Sequence, residues 1–371
     1  MRASALGIAN ERFYFLEDGA AVNQEFQAAL ARESVHRGYT ARSTVPPAEL
    51  LAVSGGGEDG AFGAGLLTGW SETGTRPVFN LVTGVSTGAL TAPFAFLGPA
   101  YDGALREVYT NTTLSQVARA RGYLAAVLDD AMSDTAPLFA TISRYVNEAL
   151  LADLAKAYDE GRLLLIGTTN LDAQVPVVWN IGAIAKSGHP GALNVIRRIL
   201  LASASIPGAF PPVMIDVELD GVRYQEMHVD GGAFAQAFLY PRSISEARTV
   251  RREQGNRTRD ARAWVIRNAR LDRDWASVNR RTMGIVGRAI ATMIFSSGYN
   301  DLVRMYGATQ ADGIDYNLAY IGPDFTTTLP APFDQSYMRA LFDYGYQRGK
   351  AGYSWAKRPP LGTTAPTALS R

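Results

Sequence analysis

The chain has 371 residues, 47% of them hydrophobic, with 36 Lys and Arg against 35 Asp and Glu, which is enough for a large α/β core in one or two domains. A net charge of +1 gives no electrostatic footprint for nucleic acid, and the absence of cysteine excludes disulfides, thiolate nucleophiles, zinc–thiolate sites and iron–sulfur clusters. No apolar run approaches the roughly 18 residues of a transmembrane helix, and Met1 to Ile8 lacks the apolar core of a secretory signal, so the expectation is a cytosolic chain or one whose targeting segment has been removed.

Residues 1–48 read as an N-terminal arm, with helical spacing at Val22, Phe26, Ala29 and Leu30 and a loop ending in Pro46-Pro47. A core strand is predicted over Leu50 to Ser54. Gly55-Gly56-Gly57 follows, then a helix from Gly60 to Glu72 stopped by Gly74. Gly60, Gly63 and Gly65 fall on one side of that helix. Glycine destabilises helices, so their place there predicts close packing. A second strand over Val78 to Thr83 runs into Gly84-Val85-Ser86-Thr87-Gly88 and a short apolar helix over 87–97.

From Ala104 to Glu160 the pattern is mostly helical. Leu163 to Thr169 and Val175 to Ile181 read as strands, and 192–203 as a helix. The segment Ile206 to Val213 is stiffened by Pro207, Pro211 and Pro212. Met214 to Leu219 and Val222 to Val229 flank Asp220-Gly221, a two-residue hairpin signal, and the second of these strands ends in Asp230-Gly231-Gly232.

Beyond residue 240 the chain turns more charged. Ala263 to Arg267 reads as one more strand, and 334–349 as a helix. Residues 282–306 form an apolar helical stretch with Met283, Val286, Ile290, Met293 and Ile294 on one face. A core helix is the preferred reading, with a membrane-surface helix as its alternative. The segment from Lys357 is rich in Pro, Thr and Ser and reads as disordered. The expected partition is a domain over 49–245, a mostly helical region packed on it over 246–356, and a tail over 357–371.

Gly84-x-Ser86-x-Gly88 between a strand and a helix has the form of a nucleophile elbow, in which the glycines permit a tight, strained turn. Backbone amides at Gly55, Gly56 and Gly57 fit an oxyanion hole, where one donor contributes about 3–4 kcal/mol to the transition state. Gly55-x-Gly57-x-x-Gly60 also fits the dinucleotide fingerprint, the mark of a nucleotide-binding oxidoreductase. That site wants an acid at the end of the next strand, and Leu81-Val82-Thr83-Gly84 offers none. The histidines are His36, His189 and His228, and none follows His228. Asp230, at a strand end, is the better-placed base. A carboxylate in that role needs a nearly dry site to raise its proton affinity.

In that order, Ser54-Gly55-Gly56-Gly57-x-x-Gly60, Gly84-x-Ser86-x-Gly88 and Asp230-Gly231-Gly232 resemble the patatin-like phospholipases over about 49–245. Ala202 to Pro212 is similar to the small-residue and proline segment of that family. The resemblance implies a three-layer α/β/α fold around a mainly parallel sheet, with a mostly helical C-terminal extension. It also implies lipid acyl hydrolysis by a Ser–Asp dyad, with Ser86 as nucleophile, Asp230 as base and the amides of Gly55 to Gly57 as the oxyanion hole. No metal or cofactor is implied. The partner is a lipid or other hydrophobic ester, with peripheral membrane contact compatible; acyl transfer to another alcohol is the alternative within the family. One departure is the pair Glu58-Asp59, because the family often carries Arg or Lys just before the last glycine of its first motif. The preferred reading of both acids is that they are solvated residues at a helix N-terminus; the alternative is that they face the site and oppose an anionic head group, which bears on phospholipid preference more than on ester hydrolysis.

Overall fold

Alternate residues of the central strands feed two separate apolar layers, which is why helices cover both faces of one sheet. The protein is described here by a computed structural model covering residues 3–40, 43–117, 119–120, 133–272, 277–278 and 281–360. The strands of the main sheet are β1 (Arg12–Tyr14), β2 (Ala48–Val53), β3 (Leu81–Val85), β4 (Leu163–Asn170), β5 (Val175–Asn180), β6 (Val213–Leu219), β7 (Val222–Asp230), β8 (Ala261–Arg270) and β9 (Asp315–Ile321). Leu51, Val53, Val82, Leu164 and Ile166 enter one layer, while Leu50, Ala52, Leu81, Leu163 and Leu165 enter the other. Strands buried on both faces read as continuous apolar runs rather than alternating ones, and β2 and β4 do so.

The sheet runs β1-β5-β4-β3-β2-β8-β9, with β2, β3, β4, β8 and β9 parallel. β5 and β1 are antiparallel additions at one edge. The principal helices are α1 (Gly19–Arg37), α2 (Gly60–Glu72), α3 (Thr87–Leu97), α4 (Asp102–Asn111), α5 (Ala136–Tyr145), α6 (Glu148–Asp159), α7 (Ile181–Lys186), α8 (Ala192–Ser203), α9 (Arg242–Glu253), α10 (Thr282–Ala311) and α11 (Gln335–Lys350).

The N-terminal arm does more than precede the domain, since β1 pairs with β5 and extends the sheet. The C-terminal region also joins the core. It is largely helical, yet β8 lies directly beside β2, so this region completes the sheet rather than only packing on it. α11 lies against α2 through paired glycines. A Cβ on Gly65 or Gly69 would strike the α11 backbone at Phe342 or Tyr346, and one on Gly345 or Gly349 would strike α2 at Phe62 or Leu66. Part of the predicted close packing of the α2 glycines is therefore helix on helix. The start of the predicted tail is docked as well, with Lys357 Nζ 2.8 Å from Asp315 Oδ1 and the Pro360 carbonyl accepting from Tyr299 Oη; residues 361–371 lie outside the described residues.

The predicted core helix over 282–306 is corrected in its first half. From Gly298 onward α10 is embedded, with Leu302 and Met305 buried, but Ile290, Met293 and Ile294 stand exposed, while the side chains of Met283 and Val286 lie outside those described. Periodicity alone does not distinguish a stripe that meets protein from one that meets nothing.

Candidate active site

The site comes from a feature of strand pairing. β3 pairs with the first half of β4, and its last residue, Val85, lies opposite Gly167. β7 arrives antiparallel on the same side of β4, and its last residue, Asp230, lies opposite Thr168. Two strands running in opposite directions therefore meet end-on along one flank of β4. The residue after Val85 is Ser86, so the meeting places the serine beside the aspartate.

Ser86 has φ 56° and ψ −130°, a left-handed conformation that a non-glycine residue holds at a cost of about 1–3 kcal/mol. The surroundings enforce it. The Ser86 N–H donates to Ser203 Oγ (3.0 Å), and that hydroxyl donates onward to the Gly167 carbonyl (2.7 Å). The α3 helix begins at the next residue, so its positive end lies at the serine. A Cβ on Gly84 would meet the backbone of Gly88 and Ala89, and one on Gly88 would strike the Val53 carbonyl. The elbow thus fits against the end of β2 only with small residues.

Asp230 is 3% exposed. Its N–H donates to the Ser205 carbonyl at 2.9 Å, and its Oδ1 accepts from the Gly232 N–H at 2.7 Å. Oδ2 is buried without a donor in hydrogen-bonding geometry among the described residues. Burial pushes the carboxyl up to about 7, against the opposing pull of the neighbouring Ser86 hydroxyl and the Gly232 N–H. Gly231 fits beneath it because a Cβ there would crowd the Gly167 carbonyl, and a Cβ on Gly232 would crowd Gln236 and Asp230 itself. The α8 end therefore serves both residues: Ser203 positions Ser86, and Ser205 positions Asp230. Both serines were visible in the Ala202 to Pro212 segment, but nothing in the sequence showed which strand ends they would hold.

His228 does not join the pair. It is fully buried, with Nδ1 3.0 Å from Thr168 Oγ1 and Nε2 3.1 Å from Glu226 Oε2. Burial lowers its proton affinity against the pull of Glu226.

The glycine loop lies against the serine. A Cβ on Gly55 would sit 3.1 Å from Ser86 Cβ and 2.9 Å from Gln236 Oε1. A Cβ on Gly56 would strike the Asn268 carbonyl, and one on Gly60 would strike Thr87 Oγ1. Gly57 has φ +57° with open space beside it and lines the cleft next to Ser86. The expectation of three free amides is corrected in one respect. The Gly55 N–H donates to the Gln236 carbonyl at 3.0 Å, so it is occupied. The N–H groups of Gly56 and Gly57 meet no acceptor among the described residues.

Glu58 and Asp59 are not solvated, which corrects the reading of them as exposed N-terminal acids. Both are half-buried. Asp59 Oδ1 accepts from Tyr337 Oη at 2.6 Å, and burial pushes its carboxyl up to about 6. The cleft wall beside Gly57 is formed by Phe333 and Met338 rather than by these acids.

A cation reaches the loop from another strand. Arg267 of β8 is 3% exposed, and its Nη1 lies 3.3 Å from both Ser54 Oγ and the Gly55 carbonyl oxygen. Burial lowers its proton affinity to about 10, with Asp301 and Asp59 acting to raise it. Asn268 adds three contacts, donating its N–H to Ser54 Oγ and its Nδ2 to the Ser54 carbonyl, and accepting from the Gly63 N–H at 3.1 Å. Sequence reading placed Arg267 at a strand end but gave no sign that this strand lies beside β2.

Above Ser86 opens a cleft whose walls are nearly all carbon, including Leu90, Phe94, Leu138, Ile142, Leu200 and Phe210. Such a lining excludes water and favours a hydrocarbon occupant.

No curated protein matches the chain significantly. Among solved structures it resembles VipD from Legionella pneumophila, at 10% identity and TM-score 0.39, with 84% of this chain and 68% of that chain covered. It also resembles human GIVD cytosolic phospholipase A2, at 10% identity and TM-score 0.33, with 93% of this chain covered. The chain spans 64% of the length of the human protein. The Patatin-like phospholipase profile matches residues 51–240. That match starts inside β2 and ends past β7, taking in both strand ends that meet on β4, and by its extent the chain belongs to the patatin-like phospholipase family.

Proposed function

We propose that this chain hydrolyses carboxylic esters of lipid-like substrates through an acyl-enzyme on Ser86, with Asp230 as the base. The observation that carries the reading is the end-on meeting of β3 and β7, which sets a strained serine beside a buried carboxylate under an apolar cleft. Asp230 takes the proton from Ser86 Oγ as the oxygen attacks the ester carbonyl. The tetrahedral oxyanion forms next to the unclaimed N–H groups of Gly56 and Gly57. As it collapses, the C–O bond to the alcohol breaks and Asp230 returns its proton to that leaving oxygen. Water then attacks the acyl-enzyme, losing its proton to Asp230, and the fatty acid leaves with Ser86 restored.

A fluorophosphonate probe tests the nucleophile directly. Wild type is expected to be labelled on Ser86, and Ser86→Ala, still folded, to take up none. Persistent stoichiometric labelling of Ser86→Ala would transfer the chemistry to another residue and end the proposal.

The pH dependence follows from the state of the base. Asp230 must be ionised to accept a proton, and its carboxyl is held at about 7. kcat/KM on a soluble p-nitrophenyl ester is therefore expected to rise tenfold per pH unit below about 7 and to level off above it. A profile already flat at pH 5 would show that no group with this proton affinity carries the reaction.

A further inference from the structure

The 30-residue helix α10 behaves as two objects along its length. From Gly298 onward it belongs to the body. Asp301 Oδ2 accepts the Gln236 and Ala237 N–H groups, and Leu302 and Met305 lie in the apolar layer. Before Gly298 the apolar side chains that the structure describes are exposed, with Ile285 53%, Ile290 45% and Met293 69% exposed, and Ile294 and Phe295 each 36% exposed. An exposed apolar concentration of this kind marks a contact surface.

Its direction follows from the strand register. α10 ends at Ala311 and turns into β9, whose first residue, Asp315, pairs with Arg262 near the start of β8. At Gly298 a Cβ would strike the guanidinium of Arg267, near the end of β8. The helix therefore runs against the strands and leaves the body at the edge that carries Ser86. At a rise of 1.5 Å per residue, residues 282–297 run about 24 Å from Gly298 in that direction.

Two more features define the occupant. The described stretch before Asp301, residues 281–300, contains Arg281 and Arg288 and no Asp or Glu, a sign that complements anionic headgroups. Ile285, Ile290 and Phe295 project to three different sides of the helix at about 100° per residue, whereas a helix lying flat at an interface keeps one polar face. No helix among the described residues is long and apolar enough to cross a membrane, so the contact is with a surface.

We propose that residues 285–295 are a membrane-surface anchor, entering an anionic lipid surface tip first and setting the mouth of the Ser86 cleft against it. This deepens the lipid reading of the site and rests on it. The test uses the full chain with Ile290→Glu, Met293→Glu and Phe295→Glu combined, alongside wild type. Flotation is measured with vesicles of equal parts phosphatidylglycerol and phosphatidylcholine and with phosphatidylcholine alone, using Ser86→Ala forms of both proteins to prevent turnover.

Wild type is expected to bind the mixed vesicles and the triple variant to bind at least tenfold less, with weaker binding of both to phosphatidylcholine alone. Hydrolysis of vesicular ester should fall in parallel, while turnover of a soluble short-chain ester stays within about twofold, which also reports that the variant is folded. Equal vesicle binding by the two proteins would overturn the anchor. So would a wild-type dimer without lipid affinity that the triple variant dissociates, since the surface would then belong to a second copy. Loss of all ester turnover in wild type, with vesicle binding intact, would instead remove the hydrolase reading and leave the anchor standing.

Discussion

Asp230→Asn is expected to lose ester turnover by about 10³- to 10⁴-fold in kcat/KM, the scale of a general base, while becoming more stable than wild type at alkaline pH. The two effects share one cause. Lifting the carboxyl from 3.8 to about 7 opposes its ionisation in the fold by about 4 kcal/mol. Between those values the folded protein holds a proton that the unfolded chain has lost, so wild type loses this contribution as pH rises from about 4 through 7. The neutral amide loses nothing over that window. Its melting temperature should exceed that of wild type by a few degrees at pH 8 and match it near pH 4. His228→Ala is the control. Its ring contacts Thr168, Glu226 and Trp179 rather than the dyad, so its kcat should stay within a few-fold of wild type even if it melts lower. Scanning calorimetry and ester kinetics on the same preparations decide the matter. A folded His228→Ala enzyme without turnover, or an Asp230→Asn enzyme that keeps it, would sink the dyad.

Local chemistry made much of this site readable in advance. The two glycine-flanked turns, the Ser86 elbow and the Asp230 strand end each depend on residues within a few positions of one another. Strand-to-helix turns of this kind need small residues in sequence as well as in space. The hairpin at Asp220-Gly221 was readable for the same reason, with φ of 52° and 77° at its two residues. What stayed hidden depends on strand order. That β8 lies beside β2, that β7 docks past the end of β3, and that α11 lies against α2 are all long-range outcomes. Hence Arg267, Asn268 and Gln236, which hold the glycine loop, could not be recognised. The misreadings have the same origin. Glu58 and Asp59 resemble solvated acids until α11 supplies Tyr337 to cover one of them, and the stripe on α10 resembles a core face although Ile290 and Met293 stand exposed in the fold.

Arg267→Met is expected to lower kcat by about 10²-fold, with KM changed only a few-fold. The family often carries its cation inside the first motif, where this chain has Asp59. Here a guanidinium arrives from β8 instead and donates to the Gly55 carbonyl. That carbonyl and the Gly56 N–H belong to one peptide group, so pulling electron density toward the oxygen strengthens the N–H as a donor. The charge also lies in a dry site, where its field on a developing oxyanion is weakly screened. An interaction that grows only as the oxyanion forms should appear in kcat rather than in substrate binding. Arg267→Lys keeps the charge but replaces the planar guanidinium, whose Nη1 alone lies 3.3 Å from both Ser54 Oγ and the Gly55 carbonyl, with a shorter-reaching ammonium, so it should fall between wild type and Arg267→Met. The methionine variant will also melt lower, because Asp301 and Asp59 lose a buried countercharge, and stability alone therefore decides nothing. Affinity for a trifluoromethyl ketone, which forms an anionic adduct with the serine, gives the separation. It should weaken by the same factor as kcat/KM, while affinity for an uncharged substrate-like amide holds steady. The acid limb near pH 7 should stay in place, since the Asp230 carboxyl takes its proton affinity from burial, Ser86 and Gly232. Equal weakening of both ligands would reduce Arg267 to a prop for the fold.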